Sequence, residues 1–181
     1  MTNVLKPLQD PIPEPQASIL KNYPQQNGYL LSLFKTFANS ERFLLKGVPN
    51  LLDKESPLSL RQRELVILRV TANNSCEYEW GVHVAIFAKA AQLSADEIRA
   101  TTEPLDNTVW RQDEALLITV VDQLCAHGQL EPDTKKAFQQ TWSLEEQLEI
   151  LALCGTYHTV SFVANVAELD NEPFGEPFPT R

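Results

Sequence analysis

The sequence has little of what several protein classes require. Its 181 residues include only three cysteines, at positions 76, 125 and 154, and this odd number at wide spacing fits neither a disulfide framework nor a zinc finger. Fifteen lysines and arginines stand against 24 acidic residues, and the net charge of -9 argues against nucleic acid and anionic lipid as partners. No apolar run reaches the roughly 18 residues of a membrane span. We therefore expect a cytoplasmic protein that binds neither nucleic acid nor membrane.

Proline marks both ends of the chain. Four prolines within the first sixteen residues predict an extended leader over residues 1–16, and this leader lacks the apolar core of a secretory signal. Three prolines and Gly175 predict a non-helical tail over residues 171–181. The size of the remainder favours one domain over residues 17–170.

Helix signals dominate this domain. Ser59, Ser94 and Ser143 each precede a Gln or Glu by three residues, which is the capping-box pattern of a helix start. No segment alternates with period two, so we expect an all-α fold. The expected helical segments are 29–52, as one or two helices with a break near 39–40, then 59 to about 71–75, 76 or 78 to about 92, 94 to about 101, 107–127, 132 to about 141 and 143 to about 169.

Two of these helices are apolar around nearly their whole circumference. They are the segments 107–127 and 143–169, with residues such as Leu117, Val121, Leu153 and Phe162. A domain this small has little interior in which to bury both, so part of their surface is expected to contact another copy of the chain. The sequence therefore predicts a homo-oligomer.

The candidate chemistry lies in one segment. On a helix, Cys76, Glu79 and His83 share one face because they stand at i, i+3 and i+7. Glu64 precedes Cys76 by twelve residues across a polar break, so a helical hairpin would bring it to the same face. A helix N-terminus lowers a thiol pKa, whereas the charges of Glu77 and Glu79 raise it, and a carboxylate makes a neighbouring histidine a better base. The pattern favours proton transfer, thiol chemistry or both.

Plain structural explanations exist for each of these residues. Cys76 can be a small buried residue, Glu64 can pair with a neighbouring arginine, and Glu79 with His83 can be an exposed pair of small energetic consequence. A further alternative is a metal site at Cys76, Glu79 and His83, with Glu64 as a fourth ligand.

Three further residues are weaker candidates for substrate contact. Tyr78 and Trp80 flank Glu79, and His158 lies in the last predicted helix. Aromatic residues at such positions most often pack in a core or an interface, and a single histidine on an apolar face is most often a hydrogen-bonded core residue. Cys125 and Cys154 lie in apolar runs, and we interpret both as inert core residues.

The segment resembles the carboxymuconolactone decarboxylase family and, through it, the alkyl hydroperoxidase D-like superfamily. The resemblance covers roughly residues 28–170 and is carried by the run Arg-Gln-Arg-Glu-Leu-Val-Ile-Leu at 61–68, then Cys-Glu-Tyr-Glu-Trp at 76–80 with His83. It implies an all-helical bundle that assembles into dimers, trimers or hexamers.

The resemblance also implies an activity. Peroxidase members have a Cys-x-x-Cys pair followed by a histidine, with an upstream glutamate, and here Glu79 stands at the second cysteine. Decarboxylase members use glutamate and histidine to assist loss of CO2 from a small lactone acid, which Glu64, Glu79 and His83 fit. We therefore expect an enzyme that acts on a small molecule without a cofactor. The alternatives are the metal site and a non-catalytic helical scaffold.

Overall fold

The computed structural model describes residues 4–106 and 108–180. Helices account for the regular structure of this part of the chain, and the β-type pairing within it is an isolated bridge between Gln26 and Tyr29. The predicted all-α class is confirmed. None of the described helices is long and apolar enough to cross a membrane. The helices are α1 (Gln16–Leu20), α2 (Ser32–Phe37), α3 (Glu41–Lys46), α4 (Leu60–Asn73), α5 (Glu77–Phe87), α6 (Ala95–Ala100), α7 (Gln112–His127), α8 (Pro132–Thr141) and α9 (Leu144–Val166).

The predicted helix starts at serine are confirmed. Ser59, Ser94 and Ser143 each form a complete capping box at the beginning of α4, α6 and α9. Ser40 accepts a hydrogen bond from the Phe43 N–H, which places the predicted break between α2 and α3. Gly128 ends α7 in the left-handed conformation with a φ of 66°.

Several predicted boundaries were wrong. Helix α7 begins at Gln112 rather than 107, because Glu114 accepts from the Arg111 N–H and so fixes the start; residue 107 itself lies outside the described residues. Helix α5 ends at Phe87 rather than 92, and residues 88–92 form turns in which Gln92 takes a φ of 57°. Helix α9 ends at Val166, three residues early, and the short helix α1 was not predicted.

Helix α4 lies at the centre of the bundle. It packs against α5, α7 and α9, and its residues Leu65 to Leu68 are each at most 1% exposed. A short turn joins α4 to α5, where the Cys76 N–H donates to the Thr71 carbonyl at 2.9 Å. The two helices therefore form the hairpin that the polar break predicted, and α9 packs across both.

Residues 171–180 contain no helix and lie against α5. Glu172 is 4% exposed and accepts hydrogen bonds from the hydroxyls of Tyr78, at 2.5 Å, and Tyr29, at 2.7 Å. The Glu176 N–H donates to the Gly81 carbonyl at 3.2 Å, and a Cβ at Gly81 would collide with the Glu176 carbonyl oxygen. Only glycine allows this close approach.

Candidate active site

His83 is the centre of a buried polar cluster. Its Nδ1 lies 2.8 Å from Glu64 Oε2, and its Nε2 lies 3.1 Å from the Tyr157 hydroxyl and 3.4 Å from Glu79 Oε1. We call Glu64, Glu79, His83 and Tyr157 the His83 cluster. Both ring nitrogens of one imidazole therefore face ionisable side chains.

Three helices supply the His83 cluster. Glu64 comes from α4, Glu79 and His83 come from α5, and Tyr157 comes from α9. Glu79 and His83 are four residues apart, which puts them one above the other on the same helix face. The hairpin brings Glu64 onto that face, as the sequence predicted, and the packing of α9 closes the cluster from the opposite side.

The four side chains are enclosed by protein. His83 is 3% exposed and Glu64 is 1% exposed, and Glu79 and Tyr157 are only slightly more accessible. The expectation that Glu79 and His83 form an exposed pair is thus wrong. Glu64 Oε1 and Glu79 Oε2 are buried and make no hydrogen bond within the described residues. A buried carboxylate oxygen without a donor is costly in a purely structural cluster.

The carboxylates decide the charge of His83. Burial alone disfavours the charged imidazole, but the adjacent Glu64 and Glu79 outweigh burial and raise the pKa of His83 above its ordinary value. Burial raises the pKa of Tyr157 well above its usual range, and the charges of Glu79 and Glu64 act in the same direction. At neutral pH the cluster therefore holds a protonated imidazole beside a neutral phenol.

Cys76 is close to this chemistry in sequence, but its thiol is not activated. It is the N-cap residue of α5 and is 0% exposed. Burial raises its pKa to about 11, and the charge of Glu79 contributes in the same direction. The sequence left open whether the helix N-terminus or the neighbouring carboxylates decide the thiol pKa; in the structure desolvation is the largest effect and disfavours the thiolate.

The weaker candidates for substrate contact are engaged elsewhere. The Tyr78 hydroxyl donates to Glu172, and Trp80 Nε1–H donates to Thr101 Oγ1 at 2.9 Å. His158 follows Tyr157 in α9, yet its Nε2 lies 3.3 Å from the Cys125 sulfur. The structure does not bring these three residues into the His83 cluster, and it places Cys125 at the partly exposed surface rather than in the core.

The arginine explanation for Glu64 is wrong. Arg61 forms ion pairs with Glu97 and Glu114, and Arg69 forms one with Asp122. Arg63 donates from Nη1 to the Asp53 carbonyl at 2.7 Å. The ionic partner of Glu64 is His83.

The metal alternative finds no support in the geometry. Across residues 4–106 and 108–180, no group of three or more histidine, cysteine, aspartate or glutamate side chains is arranged to hold a metal ion. Cys76, Glu79 and His83 share a helix face, but their donor atoms do not converge on a common point.

Tyr157 is the member of the cluster that sequence reasoning missed. Its position in an apolar helix resembles an ordinary core residue, and the histidine beside it drew attention instead. The signal that could have found it is helical periodicity, because Leu153, Tyr157, Val160 and Ala164 share the inward face of α9.

Comparison with known proteins agrees with this fold. Residues 45–106 match the carboxymuconolactone decarboxylase family, and this segment contains Glu64, Cys76, Glu79 and His83. A solved structure of an uncharacterized peroxidase-related protein from Silicibacter sp. TM1040 is similar to the chain with a TM-score of 0.74 and 17% identity, covering 99% of this chain and 100% of that one. At this identity the likeness shows the fold alone.

No curated protein matches the sequence. The resemblance to the carboxymuconolactone decarboxylase family is nevertheless confirmed over residues 45–106 by the family match.

Proposed function

We propose that this protein is an enzyme that transfers a proton to a small-molecule substrate at the His83 cluster. The observation that carries the proposal is the His83 imidazole, held in the protein interior between Glu64 at Nδ1 and Tyr157 with Glu79 at Nε2. General acid–base catalysis needs a proton donor of defined orientation in a site that excludes water. The His83 cluster offers both properties.

Each residue has a role in this proposal. Glu64 accepts the Nδ1–H hydrogen bond and fixes the ring orientation, so that Nε2 carries the transferable proton. Because the carboxylates raise the pKa of His83, the imidazole is charged at neutral pH and acts as the acid. Glu79 and Tyr157 contact Nε2 of the ring. The substrate would replace these contacts when it binds.

The reaction that we favour is decarboxylation of a small carboxylic acid. The bond between the substrate carbon and its carboxylate breaks, CO2 leaves, and the electron pair stays on carbon. The proton on His83 Nε2 then moves to that carbon, and solvent returns a proton to the imidazole. The atoms and charge balance, since a carboxylate and one proton become C–H and CO2.

Arg63 supports an anionic substrate. It is 9% exposed, it makes no ion pair within the described residues, and its Nε has no hydrogen-bond partner there. Arg61 and Arg69 of the same helix are each paired with carboxylates. A buried guanidinium without a carboxylate partner suits a carboxylate ligand. We expect Arg63→Gln to raise KM about tenfold while kcat changes less.

The thiol-dependent alternative is less well supported. Peroxide reduction begins with a thiolate, and the Cys76 sulfur is 0% exposed with a pKa raised to about 11 by burial. Glu79 stands where the attacking thiol of the peroxidase relatives would be. A negative carboxylate at this position disfavours a thiolate nearby.

Two assays on the same variants test the proposal. We would measure CO2 release from carboxymuconolactone, and separately the consumption of cumene hydroperoxide in the presence of dithiothreitol. CO2 release is expected to fall at least about 100-fold in His83→Gln and to survive in Cys76→Ser. His127→Gln is the matched control, because His127 is exposed at the end of α7.

Three results of these assays would contradict the proposal, each in favour of a different conclusion. Wild-type protein that releases no CO2 would contradict the decarboxylase proposal. Hydroperoxide consumption that disappears in Cys76→Ser would replace it with thiol chemistry. A protein inactive in both assays would leave the non-catalytic scaffold as the better explanation.

We also propose that α9 joins two copies of the chain. An apolar row of exposed side chains follows the length of α9, and it consists of Leu144, Leu148, Leu151, Phe162 and Val166. The acidic residues Glu145, Glu146 and Glu149 flank only the first half of this row. An antiparallel pair of α9 helices keeps these acidic halves apart, whereas a parallel pair would bring them together.

Light scattering coupled to size-exclusion chromatography tests this pairing. The wild-type chain is expected to elute as a dimer or larger oligomer, and Leu148→Asp is expected to dissociate it because a charge in an apolar interface lacks a partner. Leu45→Asp is the control, since Leu45 is also exposed but lies on α3. A monomeric wild type would refute the proposal.

A further inference from the structure

Glu172 is a buried carboxylate that lies outside the His83 cluster. It belongs to the tail segment, by which we mean residues 171–178, and it is 4% exposed. Its Oε1 accepts hydrogen bonds from the Tyr78 hydroxyl at 2.5 Å and the Ser32 N–H at 2.6 Å, and its Oε2 accepts one from the Tyr29 hydroxyl at 2.7 Å. Both oxygens are satisfied, so this one carboxylate joins the tail segment to α5 and to the start of α2.

The tail segment has further contacts with α5. The Glu77 carboxylate accepts hydrogen bonds from the Asn171 side-chain amide at 2.6 Å and from the Phe178 N–H at 3.2 Å. The Phe178 ring packs against Trp80, with 5.2 Å between ring centroids. In all, four residues of α5 contact the tail segment, namely Glu77, Tyr78, Trp80 and Gly81.

The tail segment and the His83 cluster lie on opposite sides of α5. Successive residues of an α-helix are about 100° apart around its axis, so Glu79 and His83 point to one side and the four residues that contact the tail segment point to the other. On the His83 side, α5 packs against α4 and α9, which supply Glu64 and Tyr157. The tail segment therefore holds α5 from the side opposite to the contacts of His83.

The tail segment comes closest to α5 at Gly81. The Glu176 N–H donates to the Gly81 carbonyl at 3.2 Å, and a Cβ at Gly81 would collide with the Glu176 carbonyl oxygen. Glycine inside a helix is less favourable than alanine, so the close approach of the tail segment, rather than helix propensity, accounts for this residue. Gly155 of α9 differs, because no atom lies within 4 Å of the place that its Cβ would occupy.

From these contacts we propose that Glu172 is a positioning residue for the His83 cluster. It holds α5 against α4 and α9, and so sets the distances from the His83 ring to Glu64 and Tyr157. Glu79 lies on the same helix as His83, so a displacement of α5 leaves that pair together and changes the other two contacts. The meaning of this positioning for catalysis rests on the proposed acid–base function, whereas the positioning itself is measured on the imidazole alone.

Two glycine substitutions in the full-length protein test whether the tail segment positions α5. Gly81→Ala pushes the tail segment away from α5 without changing the charge of the protein. The His83 ring then loses part of its contact with Glu64, whose charge raises the imidazole pKa, so the NMR titration midpoint of the His83 C2–H should fall by about half a pH unit. Gly155→Ala is the matched control, because it adds the same methyl group in open space and should leave the midpoint unchanged.

Two tyrosine substitutions test the part played by Glu172. Tyr78→Phe and Tyr29→Phe each remove one hydroxyl that donates to Glu172, but only Tyr78 belongs to α5. Tyr78→Phe is expected to lower the His83 midpoint, as Gly81→Ala does, whereas Tyr29→Phe should not change it. In the CO2 assay Tyr78→Phe should lower kcat about tenfold and change KM less than about twofold, because it displaces the acid without removing a substrate contact.

The proposal requires a lower His83 midpoint in both Gly81→Ala and Tyr78→Phe, with circular dichroism verifying that each variant is folded. A midpoint equal to that of the wild type in either variant would overturn it. A control variant that shifts the midpoint as much as its partner would also overturn it, since a general loss of stability would then explain the change. Wild-type protein that releases no CO2 would contradict the proposed function but not the titration result, so the two failures are distinguishable.

Discussion

His83 is enclosed by protein and His158 is partly exposed, and the pKa values of the two histidines shift in opposite directions. At His158 partial burial lowers the pKa of the imidazole, and no carboxylate among the described residues offsets the effect. At His83 burial acts in the same direction, but Glu64 and Glu79 outweigh it and the pKa is raised. The side chains next to a histidine thus decide the direction of its pKa shift, and with it whether the imidazole is protonated or neutral at pH 7.

The two sites therefore suit opposite steps of proton transfer. The charged His83 has a proton to give, and its partner Glu64 stabilises the charge that it carries. The neutral His158 has a lone pair to receive a proton, and its partner is a thiol. One helix, α9, contributes to both sites through the adjacent residues Tyr157 and His158.

The largest expected effect comes from Glu64→Gln. This variant removes the main carboxylate beside His83, so that burial, as at His158, becomes the larger influence on the imidazole pKa. Removal of the Glu64 charge takes away the main opposition to burial, so the pKa of His83 should fall towards or below its ordinary value of 6.5. The activity at neutral pH should fall about 100-fold, because the acid is lost. The measurement is an NMR titration of the His83 C2–H, alongside CO2 release from carboxymuconolactone.

Cys76→Ser is the control for this variant, because it alters a buried neighbour without removing charge from His83. Its His83 titration should match that of the wild type. If the titration of His83 is the same in Glu64→Gln and in the wild type, the carboxylate does not hold the proton and the proposed mechanism is wrong.

The sequence predicted the part of the site that lies within one hairpin. Glu79 and His83 are fixed on one face by helical spacing, and the polar break after α4 was enough to bring Glu64 to that face. Tyr157 joins them from α9, more than seventy residues away in sequence. Its position in the cluster depends on how α9 packs across the hairpin, and the spacing of residues along the sequence does not predict that packing.

The electrostatic properties were harder to predict than the positions. The sequence shows that Cys76 begins a helix, which favours a thiolate, but only the folded structure shows that desolvation raises the thiol pKa. The same difficulty explains Cys125, which lies in an apolar run yet is partly exposed. An apolar sequence neighbourhood indicates the character of a helix but not which side of it a given sulfur occupies.

The second prediction concerns the pH dependence of stability. The folded pKa of His83 is raised, so its stabilising contribution is complete below the unfolded value of about 6.5 and is lost as pH rises through the folded pKa. The folded pKa of His158 is lowered, so its contribution is present above about 6.5 and is lost as pH falls. The two histidines should therefore make contributions of opposite sign to the slope of the unfolding free energy against pH.

Urea unfolding of three proteins between pH 5 and 9 measures these slopes. Relative to the wild type, His83→Gln should lose the decline of the unfolding free energy above about pH 6.5, whereas His158→Gln should lose part of the decline below it. When the unfolding free energies of two proteins are subtracted, the contributions of the titratable groups that both contain cancel. If the unfolding free energies of both variants depend on pH in the same way, the pKa values of His83 and His158 do not shift in opposite directions.

The smallest expected effect comes from Tyr157→Phe, which removes one hydroxyl from the Nε2 side of His83. The loss of this 3.1 Å hydrogen bond should reduce the unfolding free energy by about 1 kcal/mol and the rate of CO2 release about tenfold. Tyr23→Phe is the matched control, because the Tyr23 hydroxyl donates to the Leu44 carbonyl far from the His83 cluster. It should cost similar stability and leave the rate unchanged. A rate that falls equally in both variants would show that Tyr157 acts only through stability, and the proton held on Nε2 would then depend on Glu79 and Glu64 alone.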